Sequence, residues 1–287
     1  LPETHRFPME KYELLPQQLL LEGTCIKEDF FEPQPLNREI VERVHDSNYV
    51  NRLCNLELDK SEVRKIGFPL SQALVKREFT IAGGTVAGAK KALNTGIAMN
   101  IAGGTHHAFS SHGEAFCLLN DQAIATQYLL DHTKVKKVLI LDLDVHQGNG
   151  TAEIFKTNDA VFTCSVHGAK NYPFKKEQSD LDLAFEDHTG DSYYLDQIKT
   201  LLPKLLDQII PSFIFYLCGV DVLESDKLGR LDLSIEGCKL RDQMVLEFCN
   251  KNGIPIQCSM GGGYSKDINV IVEAHANTYR EAVKLYT

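Results

Sequence analysis

The chain has 287 residues, of which 43% are hydrophobic, and its formal net charge is −9. This length suits one large globular domain or two small ones, and the negative charge argues against a protein that binds nucleic acid through its phosphates. The charge is compatible with a cationic peptide or amine as the partner.

The eight cysteines form no CxxC pair, and several lie inside apolar runs such as residues 162–164. This placement is typical of reduced and buried thiols, so a reducing cytoplasm is the expected compartment. No apolar run approaches the ~20 residues that a membrane span needs. We therefore expect no membrane association, and no signal peptide is visible.

The first third of the chain is predicted to be mainly helical. Residues 9–21 have apolar side chains at helical spacing, and residues 26–31 could form a strand. Asn37 is a good N-cap for a following helix. Residues 55–70 are charged and resemble a surface excursion, whereas the alanine- and glycine-rich residues 80–93 suit a helix packed closely against its neighbours.

From residue 97 onward, short apolar runs alternate with helical patterns. The predicted strands are residues 97–101, 138–141, 161–166, 213–217 and 254–259. The predicted helices are residues 118–130, 195–209, 235–249 and 268–284. This alternation implies an α/β fold, a single domain whose central, mostly parallel sheet carries helices on both faces.

The most informative stretch is VLILDLDVHQGNGT, residues 138–151. Its apolar run is typical of a strand buried on both faces, and Asp142, Asp144 and His146 follow that run. Residues two apart in an extended chain point to the same side, so these polar side chains align. Burying two carboxylates and an imidazole is unfavourable without compensation. The pattern therefore favours a divalent metal over a structural Asp–His pair.

Three further polar clusters also follow predicted strands. They are GGTHH at residues 103–107, GVD at residues 219–221 and GGGY at residues 261–264. In open parallel sheets, ligands bind at the carboxyl ends of the strands. Because four such loops meet at one edge of the sheet, turn formation alone does not explain them.

One group of these residues has the chemistry of a metal centre. Asp144, His146 and Asp221 offer two carboxylates and an imidazole, a three-ligand set with an open position, as in catalytic zinc sites. Gly148, two residues after His146, has no side chain that could bridge a second metal ion. We therefore expect a single metal ion.

A second group has the chemistry of amide hydrolysis. His106 and His107 could deprotonate water and protonate a leaving amine, and Asp142 and Asn149 could orient those imidazoles. Tyr264 can donate a hydrogen bond to a developing oxyanion. A non-catalytic binding protein would not need this tyrosine together with both histidines.

Several segments resemble the histone deacetylase family across most of the chain: GGTHHAFSSHGEAFCLLND, LDLDVHQGNGTAEIF, CSVH, LCGVDVLESDKLGRL and MGGGY. IGFP, NYPF and the asparagine of HQGNG resemble the class IV branch and related bacterial proteins. The resemblance implies an arginase/deacetylase-like catalytic domain over residues 1–287. It also implies a zinc-dependent hydrolase that removes acetyl or longer fatty acyl groups from lysine in a peptide or protein.

The resemblance assigns a role to each candidate site residue. It makes Asp144, His146 and Asp221 zinc ligands, His107 the principal acid/base, His106 its electrostatic support and Tyr264 the group that polarises the acyl carbonyl. It implies a substrate tunnel formed by Phe116, Tyr172 (or alternatively Phe174), Gly104 and Gly262, with Arg6 at its foot. It also implies structural potassium at the main-chain oxygens of Asp142, Asp144, His146 and Val166 and the Ser165 hydroxyl.

The chain departs from the family pattern at Gln147, where many members have His, and at Asn149, where many have Asp. An amide stabilises an imidazolium at His107 less than a carboxylate does, so weak activity on acetyl-lysine is expected. Together with the class IV resemblance, this favours long fatty acyl groups, unless Arg6 and Phe116 close the foot of the tunnel. A deacetylase of small acetylated amines such as polyamines shares all these motifs and is the alternative function.

Overall fold

A computed structural model describes residues 5–287. In this range one six-stranded sheet has the order β1-β6-β5-β2-β3-β4, and every neighbouring pair is parallel. The strands are β1 (Ile97–Asn100), β2 (Val138–Asp142), β3 (Val161–Gly168), β4 (Leu181–Phe185), β5 (Phe213–Leu217) and β6 (Ile256–Ser259).

Helices lie before, between and after the strands. They are α1 (Lys11–Leu21), α2 (Arg38–Val41), α3 (Ser47–Cys54), α4 (Lys60–Ile66), α5 (Gln72–Thr95), α6 (Asp121–His132), α7 (Asn149–Phe155), α8 (Asp191–Ile209), α9 (Ile235–Lys251) and α10 (Ile268–Tyr286). The predicted α/β class is confirmed, and each strand predicted from residue 97 onward is present within a few residues of its expected ends. β4 and α7 were not predicted.

Two large apolar layers cover the two faces of the sheet, and a third, smaller cluster packs α1 against α10. Successive residues of β2 alternate between the two layers: Leu139 and Leu141 pack with α8, α9 and α10, whereas Val138 and Ile140 pack with α5 and α6. The alternation follows from the two-residue period of an extended chain. All five residues of β2 are buried, as expected of a strand covered on both faces.

The predicted strand at residues 26–31 is wrong. Lys27–Asp29 form a single 3-10 turn, and the Asp29 carboxylate accepts the Ile26 N–H at 2.8 Å. Ile26 and Phe31 are 59% and 42% exposed, so the apolar alternation here faces solvent rather than a second strand. Asn37 precedes α2 but makes no side-chain cap, and that helix ends after one turn.

Residues 55–70 lie largely at the surface, as predicted, but they also form a helix and bury Leu58, Ile66 and Phe68. Asp59 and Glu62 form a capping box that starts α4. Ile66 at the end of this helix is buried, and its carbonyl accepts the Phe116 N–H. This segment therefore supports the backbone beside the candidate site.

All eight cysteines are free thiols, and six of them are buried. This agrees with the expectation of reduced, buried cysteines.

None of the helices in residues 5–287 combines the length and the apolar character that crossing a bilayer requires.

Candidate active site

Three side chains at the carboxyl ends of β2 and β5 could hold a metal ion. Asp144, His146 and Asp221 are buried, and one ligand atom from each lies within 4.8 Å of the others. His146 Nδ1 is 3.1 Å from Asp144 Oδ1 and 3.0 Å from Asp221 Oδ2. Ligand atoms around a tetrahedral zinc ion are about 3.4 Å apart. The three donors are thus spaced to surround one small ion.

The surroundings of the carboxylates fix them in this arrangement. Asp144 Oδ2 accepts the Gly262 N–H at 2.9 Å, and Asp221 Oδ1 accepts the Val145 N–H at 3.0 Å. A Cβ at residue 262 would lie 2.0 Å from Asp221 Oδ2, so only glycine leaves space for the carboxylate. Each carboxylate keeps another oxygen directed at His146, which suits a shared ion.

The electrostatics of this triad also favour a cation. Burial, reinforced by repulsion from Asp144, raises the pKa of Asp221 to about 7. Burial lowers the pKa of His146, but hydrogen bonds to Asp144 and Asp221 outweigh it and raise the pKa to about 10. Two carboxylates forced together in a buried site require compensating positive charge, which a divalent ion supplies.

The two histidines of the GGTHH loop have different partners. His106 Nδ1 lies 2.6 Å from Asp142 Oδ2, and His107 Nδ1 lies 2.7 Å from Asn149 Oδ1. Burial lowers the pKa of His106, but the charges of Asp142 and Asp144 outweigh it, so that pKa is raised. Burial and the neighbouring histidines hold the pKa of His107 well below its ordinary value. These surroundings therefore favour a proton on His106 more than on His107.

The loop that carries these histidines is anchored from α6. Asp121 Oδ1 accepts the Gly104 and Thr105 N–H groups at 2.9 and 2.8 Å. Gly104 has φ +82°, and a Cβ there would lie 2.2 Å from Leu217 Cδ1. Sequence reasoning missed Asp121, although it ends the LLND segment used for the resemblance. The anchor fixes where both imidazoles emerge.

Two charged side chains that sequence reasoning also missed, the partly buried Asp226 and the buried Lys11, hold the backbone at and before Tyr264. The Tyr264 N–H donates to Asp226 Oδ2 at 2.6 Å, and Lys11 Nζ donates to the carbonyl of Gly261 at 3.0 Å. Lys11 comes from α1, remote in sequence, so no local pattern indicated it. Burial, reinforced by the charge of Asp221, keeps the pKa of Tyr264 well above its ordinary value. The phenol is therefore a hydrogen-bond donor at neutral pH.

Phe116 and Tyr172 lie at the entrance to the site. Phe116 has φ +69° and Ala115 has φ +43°, a conformation that side chains rarely adopt. The two N–H groups are held by the Ile66 and Lys65 carbonyls of α4. Tyr172 meets the His107 ring edge-on, with ring centroids 5.0 Å apart.

Phe116 and Tyr172 line an outer cavity of about 370 Å³ that leads to Asp144, His146 and Asp221. Four cationic side chains are part of its lining, and within residues 5–287 no carboxylate side chain is. They are Arg6, Lys65, Lys170 and Arg230. The alternative wall residue, Phe174, also lines this cavity but is 89% exposed.

An inner cavity of about 40 Å³ lies on the other side of the triad. Gly104 and Gly262 line it, as do Phe7, Tyr12 and Arg77. Five residues line both cavities and so mark where they meet: His107, Ala115, Phe116, His146 and Tyr264.

The prediction that Arg6 lies at the foot of the tunnel is wrong. Its guanidinium stacks on the Phe116 ring, 5.1 Å from the centroid, and it lines only the outer cavity. Arg77 of α5 occupies the foot instead, over the Tyr12 ring. Arg6 thus lies at the outer end of the tunnel instead of at its foot.

The remaining predicted residues lie beside β2 and β3. Asp142 and Ser165 are register partners, and Val166 follows in β3, so the proposed potassium ligands are adjacent. The potassium ion itself stays a prediction.

Gln147 is buried, and its amide donates to Asp182 Oδ1 at 2.8 Å, which ties the end of β2 to β4.

Comparison with known proteins supports the family resemblance seen in the sequence. The histone deacetylase domain model matches residues 5–279. An uncharacterised protein of Picosynechococcus is 43% identical over 286 residues, covering 100% of this chain and 95% of that protein. Human histone deacetylase 1 is 31% identical over 305 residues, covering 98% of this chain and 61% of its own length.

The fold is shared with a solved structure as well. The crystal structure of an HDAC homologue from Aquifex aeolicus has a TM-score of 0.83 and 23% identity, covering 99% of this chain and 80% of that one. At this identity the likeness concerns the fold. The domain match extends over nearly all of the sequence. The chain therefore belongs to the histone deacetylase family, a family of deacetylase hydrolases.

Proposed function

We propose that the chain is a zinc-dependent hydrolase that removes short acyl groups, acetyl above all, from lysine side chains. The main support for this proposal is the composition of the place where the outer and inner cavities meet. There His107, His146 and Tyr264 line a single space next to Asp144 and Asp221. An amide entering from the outer cavity would meet an acid/base group, a hydrogen-bond donor and the metal ligands together.

Two carboxylates and one imidazole suit zinc, with a position left for substrate. When bound by Asp144, His146 and Asp221, zinc would supply a Lewis acid that lowers the pKa of water and polarises the acyl carbonyl.

His107 is the proposed general base and acid. Asn149 Oδ1 accepts the Nδ1–H of His107, which leaves Nε2 unprotonated and able to accept a proton. His107 lines both cavities, whereas His106 lines the inner cavity and not the outer one. His107 thus takes a proton from the attacking water and returns one to the amine as the C–N bond breaks.

His106 and Tyr264 stabilise the negative charge that develops during attack. His106, whose pKa the charges of Asp142 and Asp144 raise against the effect of burial, lies with its ring centroid 4.0 Å from that of His107. Tyr264 keeps its proton and donates to the acyl oxygen as that oxygen gains charge. The products are a carboxylic acid and the free lysine amine.

The inner cavity favours a short acyl group. At about 12 Å³ for each water, 40 Å³ holds about three water-sized groups. A myristoyl group has twelve carbons more than acetyl and does not fit this space. The expected preference for long fatty acyl groups is therefore not supported by the volume of this cavity, which Phe7, Tyr12 and Arg77 line.

The outer cavity favours a lysine peptide over a polyamine. A polyamine would bring additional positive charges to a rim that already carries Arg6 and Lys65. Lys170 and Arg230 are partly neutralised by Asp187, at 3.6 and 3.2 Å. In residues 5–287 neither Arg6 nor Lys65 forms an ion pair within 4 Å. A neutral or acidic peptide around the acyl-lysine suits this rim better than a basic histone tail.

The test measures acetate release from an acetyl-lysine peptide and from acetylated spermidine, with zinc-loaded protein. We expect turnover of the peptide, and a Tyr264→Phe variant that folds and binds zinc but turns over at least about 10²-fold more slowly. Equal rates for Tyr264→Phe and the unaltered protein would refute the proposed mechanism. Faster turnover of the polyamine would favour the alternative function.

A further inference from the structure

A carboxylate lies behind the amide that faces His107. Glu114 Oε2 accepts the Tyr172 O–H at 2.5 Å, and Asn149 Nδ2 lies 3.5 Å from the same oxygen. On its other side, Asn149 Oδ1 is 2.7 Å from His107 Nδ1. Glu114, Asn149 and His107 thus form a continuous series of polar contacts that the mechanism above does not use.

Backbone hydrogen bonds to Cys117 fix the position of Glu114. Its N–H donates to the Cys117 carbonyl at 2.9 Å, and its carbonyl accepts the Cys117 N–H at 2.8 Å. Between these residues lie Ala115 and Phe116, both with positive φ. The same turn therefore places the tunnel wall and the carboxylate.

The two ends of an asparagine amide are not equivalent, since one accepts and the other donates. If the Asn149 amide were reversed, its NH₂ group would face His107 Nδ1, and the ring would have to carry its proton on Nε2. That tautomer could not accept a proton from water. A carboxylate accepts hydrogen bonds but does not donate them when ionised, so Glu114 attracts the NH₂ end and excludes the reversed amide.

We propose that Glu114 is a positioning residue that orients the Asn149 amide and thereby selects the reactive tautomer of His107. The inference rests on the proposed role of His107 as general base. It also gives a physical reason why an amide can stand where many relatives carry an aspartate. The carboxylate is present, but one residue further from the imidazole.

A double-mutant cycle tests this proposal. Glu114→Leu removes the acceptor, and Asn149→Asp removes the need for orientation, because both oxygens of an aspartate accept. We expect Glu114→Leu to lower kcat by about 10–100-fold with KM changed much less. In the Asn149→Asp background the same substitution should cost less than about 3-fold, since it also relieves repulsion between two carboxylates.

A control separates this effect from a general loss of structure. Glu281 is a buried carboxylate of α10 that pairs with Lys284 and lines neither cavity. Glu281→Leu should leave kcat within about 3-fold. If Glu114→Leu does not fold, Glu114→Gln carries the same cycle, because its amide can also donate and no longer excludes the reversed Asn149.

Imidazole nitrogen NMR gives a readout independent of turnover. The His107 signal, identified by its loss in His107→Ala, should indicate the Nδ1–H form in the unaltered protein and a tautomer mixture in Glu114→Leu. Additive losses in the cycle, or an unchanged tautomer, would overturn the role of Glu114. Absence of turnover in the unaltered protein would instead overturn the proposed function, with the NMR result still deciding the role of Glu114 in orientation.

Discussion

His45 provides a quantitative test of the packing beside the histidine loop. The side chain is 1% exposed, its Nδ1–H donates to the Phe109 carbonyl at 2.9 Å, and Nε2 accepts the Asn120 N–H at 2.9 Å. In the neutral ring of His45 both nitrogens form hydrogen bonds. Protonation would place a hydrogen on Nε2, where it would face the Asn120 N–H. Burial lowers the pKa of His45 from 6.5 to about 4.

The sign and size of the effect follow from this shift. Below pH 6.5 the unfolded chain takes up a proton that folded His45 does not, so stability is complete above pH 6.5 and is lost as pH falls towards 4. At pH 4.5 this difference in proton uptake lowers the free energy of unfolding by roughly 2–3 kcal/mol, and at pH 7.5 its effect is close to zero.

The assay compares urea unfolding of the unaltered protein and of His45→Asn at pH 7.5 and pH 4.5. The variant should be less stable at pH 7.5, by about 1–3 kcal/mol, because the Asn120 N–H loses its acceptor. At pH 4.5 the difference should shrink or reverse, by roughly 2–3 kcal/mol relative to pH 7.5. The same stability difference at both pH values would refute the account of a buried neutral His45.

Three further predictions concern catalysis. His107→Ala should abolish turnover while His106→Ala leaves a trace, since one well-placed acid/base group contributes about 10²–10⁴-fold; the reverse order would exchange their roles. On one peptide, kcat/KM should be higher for acetyl-lysine than for myristoyl-lysine, and the opposite ranking would mean that the inner cavity opens. Glutamates flanking the acetyl-lysine should lower KM several-fold relative to flanking lysines, and Lys65→Glu should reduce this preference. A preference that persists unchanged in 0.5 M salt would not be electrostatic.

The parts of the molecule that sequence predicted well are those encoded by local periodicity. The apolar run of β2 and the two-residue spacing of Asp142, Asp144 and His146 determine which side chains align at the end of the strand. Because the sheet is parallel, the same reasoning places Asp221 after the neighbouring β5.

The errors occurred where the outcome depends on contacts between remote segments. Arg6 lies at the mouth because it stacks on Phe116, and Arg77 of α5 fills the foot instead. The small volume of the inner cavity likewise depends on residues from several elements, which no motif records. Glu114 lies inside a segment that the sequence highlighted, but its contact with Asn149 exists only in the folded chain.

Metal content measured together with activity tests the central claim most directly. Chelated protein is titrated with zinc, and bound metal and acetate release from an acetyl-lysine peptide are followed for the unaltered chain and for Asp221→Ala. We predict that activity rises in proportion to bound zinc and reaches its maximum at one zinc per chain, and that Asp221→Ala neither retains the ion nor regains activity. Full activity without bound metal, or a maximum only at two ions per chain, would contradict the account.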